Sequence, residues 1–95
     1  MQLKKNEHEY VLGNRKVIWT WAGTGKLTAE IPNNLSIFDE NDNLIWNIGE
    51  LFKNDELCVH LKVTGPHSIS FNTYNCMKIE FDTDSLKIIS KLFTK

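Results

Sequence analysis

SISFNTYNCMKIEFDTDSLKIISKLFTK, residues 68–95, is the stretch whose reading decides the fold. Ile69, Phe71 and Thr73 alternate with Ser68, Ser70 and Asn72. Beyond Tyr74-Asn75, Met77, Ile79 and Phe81 alternate with Lys78, Glu80 and Asp82. Beyond Thr83-Asp84-Ser85, Leu86, Ile88 and Ile89 open a last run that ends at Phe93. A period of two makes one face of each strand apolar and the other wet. Polar links this short favour antiparallel hairpins, because a parallel crossover needs a dozen residues or more. The stretch therefore predicts a three-stranded meander with one oily face that a second layer must cover.

Upstream, the same alternation recurs. Tyr10–Leu12 is short and apolar, and Gly13-Asn14 is a turn pair. Lys16–Ala22 reads as a strand with Val17, Trp19 and Trp21 on one face and Ile18 and Thr20 on the other. Gly23-Thr24-Gly25 breaks it, and a second run, Leu27–Ile31, stops at Pro32. Leu35–Phe38 and Leu44–Ile48 flank the polar turn Asp39-Glu40-Asn41-Asp42-Asn43 and read as a hairpin, with Leu44, Trp46 and Ile48 on one face. Leu57, Val59, Leu61 and Val63 alternate with Cys58, His60 and Lys62 up to the turn Thr64-Gly65-Pro66. Little helix is expected, at most one short piece within Gly49–Glu56. The fold class is all-β: one antiparallel sandwich or small half-barrel of about eight short strands. A single β-domain over residues 1–95 is expected, with residues 1–9 as a flexible lead-in. The expected core is Val17, Trp19, Leu35, Ile37, Leu44, Trp46, Val59, Leu61, Ile69, Phe71, Ile79, Phe81 and Ile88.

Composition agrees with one globular domain. The chain has 95 residues, 41% of them hydrophobic and 24% charged, enough for a single core without staples. The net charge of −1 gives no bulk attraction to nucleic acid or anionic lipid. Two cysteines, Cys58 and Cys76, are too few for a disulfide scaffold, and free thiols are expected. The polar start MQLKKNEHEY has no apolar h-region, and no run reaches the length of a membrane span. A cytoplasmic protein that does not bind membranes is the expectation. The charges are uneven: Asp39–Glu56 holds six acids against Lys53, a local −5, whereas residues 1–38 and 57–95 each carry +2.

Several motifs carry chemistry in principle. Gly23-Thr24-Gly25-Lys26 resembles the end of a phosphate loop, but Thr20 and Leu27 stand where that motif needs Gly and Ser or Thr. A glycine-rich turn is the plainer reading. Asp39, Asn41, Asn43 and Glu50 fall at calcium-loop places, but Leu44 holds the place that needs Gly, so an Asx-rich hairpin turn is preferred. Cys58 and His60, two apart on one strand face, could serve a metal or a nucleophile with His67 and Cys76 nearby. No third group supports either use, so no catalytic residue, metal ligand or cofactor is assigned. Trp19, Trp21 and Trp46 with Lys16 and Lys26 could form a stacking platform for single-stranded nucleic acid, although tryptophans in a small β-domain are more often core. The acidic segment reads either as a solvated face or as a surface for a basic partner.

SIFDENDNLIWNI (residues 36–48), followed by MKIEFDTDSLKIISKLFTK (residues 77–95), resembles small bacterial immunity proteins of contact-dependent growth inhibition, within them the partners of RNase A-like toxins. The resemblance runs from Leu35 onward. The closing hairpin of that group often has Gly in its turns, whereas this chain has Asn75 and Asp84-Ser85. It implies a stoichiometric binder of a cognate toxin C-terminal domain, with no chemistry of its own and no direct nucleic-acid contact. The expected contact residues are Asp39, Glu40, Asp42, Glu50, Asp55 and Glu56, with Trp46 or Phe52 as an aromatic anchor if exposed. A small nucleic-acid-binding β-barrel domain is the alternative, and an enzyme built on Cys58 and His60 ranks last.

Overall fold

The hairpins predicted from the last third of the sequence form, and the layer that covers them comes from the first half. The computed structural model describes residues 7–20, 33–50, 58–73 and 77–93. Within them lie eight strands: β1 Glu7–Leu12, β2 Arg15–Thr20, β3 Leu35–Phe38, β4 Leu44–Asn47, β5 Cys58–Gly65, β6 Ser68–Thr73, β7 Met77–Asp82 and β8 Lys87–Phe93. One turn of 3-10 helix, Ile48–Glu50, follows β4. Strands β1 to β4 make one antiparallel sheet in sequence order, and β5 to β8 make a second. The protein is all-β, a sandwich of two four-stranded meanders. The expected run Leu27–Ile31 and most of Gly49–Glu56 lie outside the described residues.

The two inner faces interdigitate. Val17, Ile37 and Trp46 stand directly across from one another on β2, β3 and β4, and Phe71 and Ile79 do so on β6 and β7. All five are buried. The Trp46 indole lies 4.4 Å from the Phe81 ring and 6.3 Å from the Phe71 ring, so three aromatics join the sheets at the centre.

Two ends of the sandwich are tied by polar groups. At one end the buried Asn34 side chain donates to Thr20 O (2.8 Å) and Cys58 O (2.9 Å), and its Oδ1 accepts from the Cys58 N–H at 2.7 Å. The Trp19 indole N–H also donates to Cys58 O, at 3.1 Å. At the other end Arg15 Nε donates to Thr83 O (3.1 Å) and its Nη2 to Asp84 O (3.2 Å), which pins β2 to the β7–β8 turn. Gly13, at φ 59°, makes the β1–β2 turn that approaches His67, and a Cβ there would meet the imidazole at 2.9 Å. In this corner the Thr83 hydroxyl is buried with no hydrogen-bond partner among the described residues.

Five expectations need correction. Leu44 is 58% exposed, because β4 bulges: Ile37 pairs with Trp46 but Phe38 pairs with Leu44. The extra residue, Ile45, turns Leu44 to the opposite face from Trp46. Ile88 is 40% exposed because it lies on β8, the edge strand, which also bulges between Phe81 and Glu80 of its partner. Val59 and Trp19 are only partly buried, and Cys58 takes the inner position at the start of β5. The register shift between Cys58 and His60 puts Cys58 on the inner face in place of Val59, while Leu61 keeps the inner position expected of it. Glu7–Glu9, expected in the lead-in, form the first half of β1, paired with Thr20, Trp19 and Ile18. Charged side chains suit such an edge strand.

Candidate partner-binding surface

The acidic hairpin turn between β3 and β4 is built by its first residue. Asp39 Oδ1 accepts the backbone N–H groups of Asn41 and Asn43, both at 2.9 Å, and Asp39 Oδ2 accepts from the Asn43 amide at 3.2 Å. The Asp39 N–H bonds Asn43 O, and Asp42 bonds back to Asp39 O with a left-handed φ of 65°. An Asp at the head of such a turn does with its side chain what a backbone turn does with a carbonyl. The N–H of Asn43, foremost, holds the Asp39 carboxyl below its ordinary range. This support is complete above the ordinary Asp range and is lost only as pH falls through the lowered value. Asp82 closes the β7–β8 turn in the same way, accepting from Asp84 N at 2.8 Å and Ser85 N at 3.2 Å. Its carboxyl is lowered for the same reason, chiefly by the Asp84 N–H.

The other carboxylates of this segment differ in how tightly they are held. Asp42 pairs with Lys16 on β2, which lowers the carboxyl and raises the ammonium. Both groups are partly open to water, so the pair adds little to stability. Glu50 Oε2 accepts from the Asn47 N–H at 3.0 Å, across the turn into the 3-10 helix. Glu40 is exposed at the tip of the hairpin. The structure thus brings Asp39, Glu40 and Asp42 together on one turn and sets Glu50 at the far end of β4. Phe52, Asp55 and Glu56 lie outside the described residues.

Trp46 is 5% exposed and lies in the core, so it cannot reach a partner as an anchor. Trp19 is half-buried, its indole N–H committed to Cys58 O and its ring tilted against His8 at 5.9 Å. The two described tryptophans therefore offer no shared stacking face; Trp21 and Lys26 lie outside the described residues.

Cys58 and His60 do not form a pair. The thiol points into the core, fully buried, while His60 is exposed on the other face. Burial pushes the Cys58 thiol up to about 12, with its Sγ donating to His60 O at 3.4 Å. Only the thiolate attacks electrophiles, so this thiol is inert in the folded protein. In a Cys76→Ser background, iodoacetamide at pH 8 should leave Cys58 unmodified for hours and label it fully in 6 M guanidinium, as read by intact mass. Labelling in the native state at a free-thiol rate would disprove the buried placement. Among the described residues no group of three or more His, Cys, Asp or Glu could hold a metal ion. Among them, too, no helix is long and apolar enough to cross a membrane.

Comparison of the chain with protein families, with curated proteins and with solved structures returns no match. The surface itself must carry the functional reading. Sequence reasoning found the acidic turn but not the ion pair from Lys16, nor the exposure of Leu44. The first needs the β2–β3–β4 register and the second needs the bulge, and neither leaves a mark on the local sequence.

Proposed function

We propose that this chain is an immunity protein: a bacterial, cytoplasmic binder that neutralises a cognate toxin, a nuclease, by covering its active site. The observation that carries this is the division of charge between the sheets. The described residues of the first sheet and its turns hold Glu7, Glu9, Asp39, Glu40, Asp42 and Glu50 against Arg15 and Lys16, a balance of −4. Those of the second hold Glu80, Asp82 and Asp84 against Lys62, Lys78, Lys87 and Lys91, a balance of +1. A nuclease site is cationic because it must bind phosphates. Carboxylates on a hydrogen-bonded hairpin turn match such a site in sign, and their field speeds capture.

Single charge reversals at Asp39, Glu40, Asp42, Glu50, Asp55 and Glu56 test this against the toxin domain that this reading expects to be encoded beside the gene. Glu40→Lys is the cleanest probe, because Glu40 supports no turn. It should lower the association rate about tenfold at low salt, with the difference shrinking as screening shortens to about 8 Å near physiological ionic strength. Asp39→Lys should instead lower the melting temperature, since it removes the acceptor that closes the turn. Full affinity in all folded variants would make the segment a solvated face and remove the support for this reading.

A further inference from the structure

Val11, Lys16, Phe38 and Leu44 stand directly across from one another on β1, β2, β3 and β4. They form one transverse row on the outer face of the first sheet, because the adjacent row, Tyr10, Val17, Ile37 and Trp46, packs inward. Val11 is 66% exposed and Leu44 58%, with Phe38 half-buried between them. The Lys16 ammonium is drawn aside to Asp42, which leaves its methylene stem in the row. Carboxylates lie at one end of the row, Asp39, Glu40 and Asp42 on the turn beyond Phe38 and Leu44, while the next outward row holds Glu9, the buried Ile18, Ser36 and Asn47. An exposed apolar strip that ends on an acidic turn has the anatomy of an interface, dry in the middle and polar at its edge.

Other exposed apolar side chains lie on β8: Ile88, opposite Phe81, and Ile89 and Leu92, the latter opposite Lys78. Lys87 and Lys91 lie on the same strand. A cationic partner would be repelled by β8 and attracted to the rim of the first sheet. Charge therefore selects between the two patches.

We infer that the row Val11–Lys16–Phe38–Leu44 is the centre of the toxin interface, seated against an apolar patch ringed by Lys and Arg beside the active site of the nuclease. This rests on the immunity reading and adds to it the face that binds. The acidic turn supplies steering and register, and the row supplies the dry contact that slows dissociation.

The test titrates the purified, catalytically inactivated toxin domain that the immunity reading expects to be encoded immediately upstream of the gene. It is titrated by calorimetry into the wild-type protein and into Val11→Lys, Leu44→Lys and Leu92→Lys, each checked for folding by circular dichroism. Both row variants should weaken binding by at least about tenfold, whereas Leu92→Lys should stay within about twofold of wild type. Leu44→Ser adds no charge and keeps the test open if lysine disturbs the hairpin; it should also weaken binding. Loss of affinity in Leu92→Lys, with the row variants binding as wild type, would overturn the inference and leave the immunity reading standing. A toxin domain that fails to bind the wild-type protein would overturn both. A dimer in sedimentation that Leu44→Lys dissolves, with toxin affinity unchanged, would assign the row to a second copy of this chain and also overturn the inference.

Discussion

Trp46→Ala should cost about 4 kcal/mol of folding stability, a large share of the roughly 5–15 kcal/mol that holds a domain folded. The indole is packed from the first sheet against two rings of the second, at 4.4 Å from Phe81 and 6.3 Å from Phe71. Truncation removes its transfer energy and its ring contacts, and leaves a cavity that surrounding strands cannot collapse to fill. Urea unfolding followed by circular dichroism should show a lower midpoint with an unchanged slope. Trp46→Phe should avoid most of that loss, because a smaller ring still meets both neighbours. A cost below about 1 kcal/mol for Trp46→Ala would contradict the central position of this side chain.

The second large effect is polar. Asn34→Ala should cost about 3 kcal/mol, because it strands the buried Cys58 N–H and takes away the donor to Thr20 O. Cys58 O keeps the Trp19 indole as a donor, which limits the damage. Asn34→Leu has nearly the same volume and should lose about as much, which separates hydrogen bonding from packing. The amide of Cys58 should pass from slow to fast hydrogen exchange in both variants. A stable Asn34→Leu with a protected Cys58 amide would show that the tie between the sheets is dispensable.

The two residues also show what the sequence can and cannot say. Trp46 was legible as core because Trp46 and Ile48 share a period of two, and both are buried. Ile69, Phe71, Ile79 and Phe81 were legible for the same reason, and they fixed the fold class. Leu44 obeyed the same rule on paper and failed in fact, because a single bulge reverses every side chain on one side of it. The bulge in β5 misled in the same manner, sending Cys58 inward and separating it from His60. Asn34 carried no periodic signal at all: its role depends on Cys58, 24 residues away, reaching the end of β3. The acidic turn was legible as a turn, since Asp and Asn favour that geometry for local reasons. How its charges are shared out was not, because Lys16 meets Asp42 only through the pairing of three strands.

The strand order bears on how the chain finds its shape. Each sheet is paired wholly between neighbours in sequence, β1 to β4 and then β5 to β8. Most pairing therefore closes short loops, and the entropy of closure is low for a protein made of strands. The long-range step is the docking of one finished sheet on the other, where Arg15 meets Thr83 across 68 residues of chain. The expected rate-limiting step is then the encounter of two oily faces, so that core substitutions between the sheets should slow folding more than changes in the hairpin turns. Until that encounter both faces are bare, and the first half of the chain must leave the ribosome and wait for the second before its own oily face is covered.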